Sequence, residues 1–189
     1  MLGADAWSQG EPDVARDRWA KALEVGTNNP AIYHEMGLME SRRWFGTFDY
    51  YFEMPAELAK RLRLLLKRSI EYAPEQSDAY EMLAWIEATV VKPDLENVAL
   101  VEKHFATLVH KGPTLTALAL VSAHSNDRRR ALTILDQAEA TKPGSSLANV
   151  IRIIRSHLQP AGQQVPGEIS ALPAEASEET EIPQSDPPH

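Results

Sequence analysis

Apolar residues recur at helical spacing through most of the chain. Leu62, Leu65, Leu66, Ser69 and Ile70 fall at i, i+3, i+4, i+7 and i+8, one face of a helix. Pro74 cannot continue that helix, and it pushes Ala73 toward an extended backbone. A second helix is predicted to start a few residues later, with Ser77 or Asp78 as its N-cap. On it Ala79, Met82, Leu83, Ile86 and Val90 mark the core side, with Tyr80, Ala84 and Val91 beside them. Ser145 or Ser146 can cap a last amphipathic helix carrying Leu147, Val150, Ile151, Ile154 and Leu158. No alternating run of branched or aromatic residues asks for a strand. The pattern is all-α.

The helices group into repeating pairs. In the first, Leu2-Gly3, the turn Gly10-Glu-Pro-Asp, then Ala15, Trp19, Ala22 and Leu23 occupy the helix-turn-helix positions. The second has Tyr33, Met36 and Gly37, and closes with Leu62, Leu66, Ser69, Ile70 and Pro74. The third has Tyr80, Leu83 and Ala84, then Val101, Phe105, Leu108 and Pro113. The fourth runs Leu115, Leu118 and Ala119 through Asn126-Asp127 to Ala131, Leu135, Ala138 and Pro143. This arrangement of large, small and closing Pro residues resembles the tetratricopeptide repeat, whose unit is 34 residues long. The resemblance covers residues 1–158 and is best in spacing in the fourth repeat. It implies a short right-handed superhelical solenoid of about four helix-turn-helix repeats plus a C-terminal capping helix. Two departures stand out. The second repeat carries an insertion of about 13 residues, Arg42 to Pro55, and the third an excess of about five around Lys92-Pro93-Asp94. The aromatic usual late in the first helix is replaced by Glu40, Glu87 and Ser122.

Composition changes the picture in two places. The net charge is -8, but Glu168, Glu175, Glu178, Glu179, Glu181 and Asp186 supply six of those charges beyond residue 159, which leaves -2 for the body. The body therefore has no basic field for nucleic acid. From Pro160 on, six of thirty residues are Pro, and the segment is predicted to be a disordered tail, residues 159–189. There is no Cys, hence no disulfide framework and no thiolate chemistry. No apolar run approaches the ~20 residues of a membrane helix, and the N-terminus lacks the basic and apolar regions of a signal peptide. These point to a cytoplasmic chain with neither membrane nor nucleic-acid partners. The start inside a repeat suggests that Met1 is a boundary within a longer protein.

Catalytic chemistry is hard to find. Tyr33-His34-Glu35-Met36-Gly37-Leu38 begins like a zinc-protease helix, but Leu38 stands where the second His is needed. Lys111-Gly112-Pro113 lacks the glycine frame of a phosphate loop, and no Ser sits in a nucleophile elbow. The His residues are scattered, without ligand-like neighbours. The expectation is a non-enzyme with no cofactor and no metal. Repeat proteins of this family that clamp chaperone tails use Lys, Asn and Arg on the first helices. The matching positions here are His34, Leu38, Glu81, Trp85, Thr116 and Leu120, so that activity does not carry over.

Those first helices carry a different signal. Opposite the core side, the third repeat holds Asp78, Glu81, Thr89 and one large apolar residue, Trp85. The second holds His34, Ser41, Arg42 and Leu38, and the fourth Thr116, His124 and Leu120. Leu38, Trp85 and Leu120 thus recur once per repeat on the face that would line a concave groove. With His34, Glu81 and His124 they form the expected partner-binding set, and Trp85 is the expected anchor, partly accessible. The insertion contains six of the thirteen aromatics and is expected to fold back as extra core. Two functions follow. One is a scaffold holding a peptide or helix of a protein partner in the groove. The alternative is an accessory repeat domain of a larger enzyme, such as a hydrolase. Self-association through the open first repeat is a third possibility.

Overall fold

A computed structural model describes residues 2–47 and 53–159. Among the described residues nine α-helices follow one another: α1 (Leu2–Ser8), α2 (Pro12–Glu24), α3 (Pro30–Thr47), α4 (Ala56–Tyr72) and α5 (Ser77–Thr89) come first. Then come α6 (Leu95–His104), a 3-10 turn (Phe105–Thr107), α7 (Lys111–His124), α8 (Arg128–Ala140) and α9 (Ser145–Leu158). No strand occurs among them. Each helix packs on its sequence partner, α1 on α2, α3 on α4, α5 on α6 and α7 on α8. The helices α3, α5, α7 and α9 also touch one after another. All belong to one compact unit, Met1–Leu158. No described helix is long and apolar enough to cross a membrane. The tail expected from residue 160 onward lies outside the described residues.

Helix α4 buries the face its spacing predicts: Leu62, Leu65, Leu66, Ser69 and Ile70, with Ala59. Its cap is Ala73, which at φ -145°, ψ 75° has left the helical region that a following proline disfavours. The Tyr80 hydroxyl donates to the Pro74 carbonyl at 3.0 Å, tying the next helix to this turn. The capping residue of α5 is a correction. Gln76 holds the cap position, and its side chain makes no capping bond. Ser77 is the first helical residue, and its hydroxyl accepts instead from the Val109 backbone N–H at 2.8 Å. Asp94 and Asp127 do cap α6 and α8 with their carboxylates. The turns entering α2 and α8 both need a left-handed residue, supplied by Gly10 at φ 77° and Asn126 at φ 58°.

Small residues sit where the paired helices touch. A Cβ at Gly37 would lie 2.8 Å from Leu66 Cδ2 and 3.2 Å from its Cγ, so only glycine allows this approach of α3 to α4. At the equivalent positions Gly3 faces the Trp19 indole, and Ala84 and Ala119 are buried. The apolar interior lies in three clusters. Ala6, Ala15, Trp19, Met36 and Leu65 form the first. The largest gathers Leu38, Leu62, Leu66, Tyr80, Leu83, Trp85, Ile86 and Leu118 among others. The last, Leu115, Ala119, Leu135, Ala138, Ile151 and Ile154, is closed by α9.

Both departures from regular spacing have structural roles. The first half of the insertion lengthens α3, which runs on to Thr47. Trp44 and Phe45 pack against the central cluster. Met54 is buried, and its N–H donates to the Thr89 carbonyl at 2.8 Å. These residues fold back as core; Phe48, Tyr50, Tyr51 and Phe52 lie outside the described residues. The extra residues before α6 wrap a fully buried carboxylate. Glu87 accepts from Arg63 Nε at 2.8 Å and Nη2 at 2.5 Å. It also accepts from the Asp94 N–H at 2.7 Å and from Asn97 Nδ2 at 2.8 Å. Glu40 of α3 likewise accepts from Arg61 at 2.6 Å. Both carboxylates thus pair with an Arg of α4, the helix that lies between α3 and α5 in the chain.

Candidate functional site

Helices α3, α5, α7 and α9 border an open groove of about 430 Å³. One wall is the lengthened end of α3, with Arg42, Phe45 and Gly46. The middle is α5, with Glu81, Met82 and Trp85. Pro113 of α7 and Ser146, Leu147 and Val150 of α9 complete it. The lining is mostly apolar, as small-molecule and peptide sites tend to be, with Arg42 and Glu81 as its two charges. Glu81 is half-buried, and among the described residues it makes no hydrogen bond and no ion pair within 4 Å. Burial pushes its carboxyl above the ordinary 4.5; His110 and Arg42 act against that shift from a distance, and Asp78 reinforces it.

The six residues expected to line this groove divide. Glu81 does line it. Trp85 reaches it only at its floor: it is 3% exposed, a correction to its expected accessibility. The reason is the longer α3, which brings the Phe45 ring edge-on to the Trp85 indole at 6.4 Å between centroids. Leu38 is also corrected, being 4% exposed in the central cluster with Trp85. His34 is buried between helices: its Nδ1 lies 3.2 Å from Ser69 Oγ, and its Nε2 3.6 Å from Asp78. It joins α3 to α4 and α5 and does not face the groove. Leu120 is half-buried between the central and last clusters, and His124 is exposed in the final turn of α7. The walls that reasoning from first helices missed are Phe45 of the insertion and Leu147 and Val150 of α9. The apolar face of α9 is the signal that could have found the latter two.

A larger cleft, about 710 Å³, lies among α2, α3 and α4. Four of its charges pair, Arg16 with Asp13 at 3.1 Å and Arg61 with Glu40 at 2.6 Å, although burial still holds the Glu40 carboxyl above its ordinary value. A third, of about 570 Å³, is bordered by the paired Glu102 and Arg130. The groove on α5 differs in holding a half-buried carboxylate that has no such pair. Among the described residues no three His, Asp or Glu side chains gather as a metal site requires. In comparisons with known proteins, no family model, no curated protein and no solved structure matches the chain.

Proposed function

We propose that the helices form a short tetratricopeptide-like solenoid, and that the groove along α3, α5, α7 and α9 holds a peptide or helix of a protein partner. The pairing of helices, the small residues at Gly3, Gly37, Ala84 and Ala119, and the apolar interior divided along the chain support the solenoid. One observation carries the binding role: an open, mostly apolar groove holds a half-buried carboxylate that no described residue hydrogen-bonds or pairs with. Apolar walls with a few polar groups are the usual composition of helix-in-groove recognition. The anchor pocket is formed by Met82, Leu147 and Val150 over the Trp85 floor.

The test is selection of displayed random 12-residue peptides on the purified domain, followed by hydrogen exchange. Val150→Arg fills the groove with a charge, and its own unfolding curve verifies that it is folded. Selected peptides should slow exchange in α5 and α9 and lose binding to Val150→Arg. Peptides that bind both forms alike, or protect only α2 and α8, would refute the groove.

A further inference from the structure

Three other carboxylates at helix contacts have partners. Glu87 accepts four hydrogen bonds, Glu40 meets Arg61 and Asp78 faces His34. Glu81 stands apart from them. It sits in the middle of α5, half-buried beside Met82 and Trp85, and nothing among the described residues donates to it. A half-buried carboxylate without a protein donor carries a desolvation cost that an arriving cation or hydrogen-bond donor offsets. Arg42 on the opposite wall is exposed and lies beyond ion-pair distance. The apolar lining next to Glu81 suits a long aliphatic stem, which Lys and Arg side chains bury while presenting a charged head.

From this charge complementarity we propose that the groove selects a peptide segment carrying a Lys or Arg next to a large apolar side chain. The cation sits on the Glu81 carboxylate, and the apolar side chain sits among Met82, Leu147 and Val150. The proposal rests on the groove reading above and specifies its ligand. Specificity comes from Glu81: a peptide without the cation leaves the carboxylate desolvated and unpaired, which costs affinity. Arg42 competes with the ligand for the same carboxylate, so removing it favours the cationic peptide.

The probe is the set of peptides selected from the display library, measured by fluorescence anisotropy at low salt. Selected sequences should share a Lys or Arg within four residues of a large apolar residue. Glu81→Gln should weaken them about tenfold or more, the loss of a charge-assisted hydrogen bond. Arg42→Ala should bind them as tightly or more tightly, and Glu81→Lys should accept the peptide whose basic residue is changed to Glu. Peptides that are sensitive to Val150→Arg yet lack a basic residue, or bind Glu81→Gln unchanged, overturn the role of Glu81 and leave the groove standing. A selection with no peptide sensitive to Val150→Arg overturns both.

Discussion

The paired carboxylate at Glu87 offers the sharpest test of how this body is held together. Replacing Glu87 by Met removes the acceptor for four hydrogen bonds at a fully enclosed site. The Arg63 guanidinium, only 23% exposed, is left without its carboxylate, and Asn97 Nδ2 is left as a buried donor. Removing one member of a buried ion pair costs about 3–5 kcal/mol, and each orphaned buried donor adds about 1–3 kcal/mol. Arg63 keeps some solvent and can turn toward it, so the Glu87→Met cost should sit at the low end of that sum, about 4 kcal/mol. Arg63→Met strands the carboxylate instead, with Asn97 and the Asp94 N–H still donating, and should cost about 3 kcal/mol. The double variant has no buried charge left and should cost scarcely more than Glu87→Met alone. Urea unfolding followed by circular dichroism gives the cycle, and the coupling should be about 2–3 kcal/mol. If the double variant loses the sum of the single losses, the pair is not sharing its burial cost and the reasoning fails.

Further outcomes follow from named contacts. Gly37→Ala should destabilise the domain by about 1 kcal/mol or more, because overpacking against the buried Leu66 outweighs the helix-propensity gain of about 1 kcal/mol; a rise in the urea midpoint would contradict the tight α3–α4 approach. Trp85→Ala should behave as a core truncation and cost about 3–5 kcal/mol, whereas a surface residue would lose almost nothing in the same assay. Glu81 keeps its proton in the folded state to higher pH than in the unfolded chain, where it titrates near 4.5. Its contribution is therefore fully present below 4.5 and lost as pH rises through the higher folded value. Glu81→Gln should be more stable than the parent at neutral pH, with the gap closing in acid. A constant gap across that range would show that Glu81 is not desolvated.

How much of this was legible in the amino-acid sequence depends on whether a residue's role is periodic. The α4 face follows helical spacing and the Pro74 turn follows from proline itself. Gly37, Ala84 and Ala119 each hold the same place in their own helix relative to Tyr33, Tyr80 and Leu115. The helix face is buried and the small residues lie inside helices, as expected. Ser77 was misread because its hydroxyl serves Val109, 32 residues away, and a capping rule looks only three residues ahead. Trp85 and Leu38 share a sector with polar neighbours, yet what covers them comes from outside that helix turn. The indole is closed by Phe45, a residue of the insertion that helical projection of α5 cannot see. Glu87 reads as a missing aromatic in one helix; its meaning lies in Arg63 of the helix before and Asn97 of the helix after. Glu81 was found because the groove face of α5 is itself periodic. Its lack of a partner is visible only in three dimensions.

The N-terminal cluster has a consequence for the order in which the chain takes shape during synthesis. Trp19 shares one buried cluster with Met36 of α3 and Leu65 of α4 as well as with Ala6 and Ala15 of its own helix pair. Leu65 follows Trp19 by 46 residues, and ribosomes add about 5–20 residues per second, so roughly 2–9 s pass before the last buried member of the cluster is even made. The α1–α2 hairpin is thus not finished when it is made: its cluster waits, incomplete, for residues of α3 and α4. Stalled nascent chains of increasing length should acquire protease resistance around Trp19 only once α4 has cleared the exit tunnel, and resistance gained with α1 and α2 alone would contradict this. Until then the young chain displays an apolar side chain that a chaperone can hold, and the lengthened α3 prolongs that interval by every residue it adds ahead of α4.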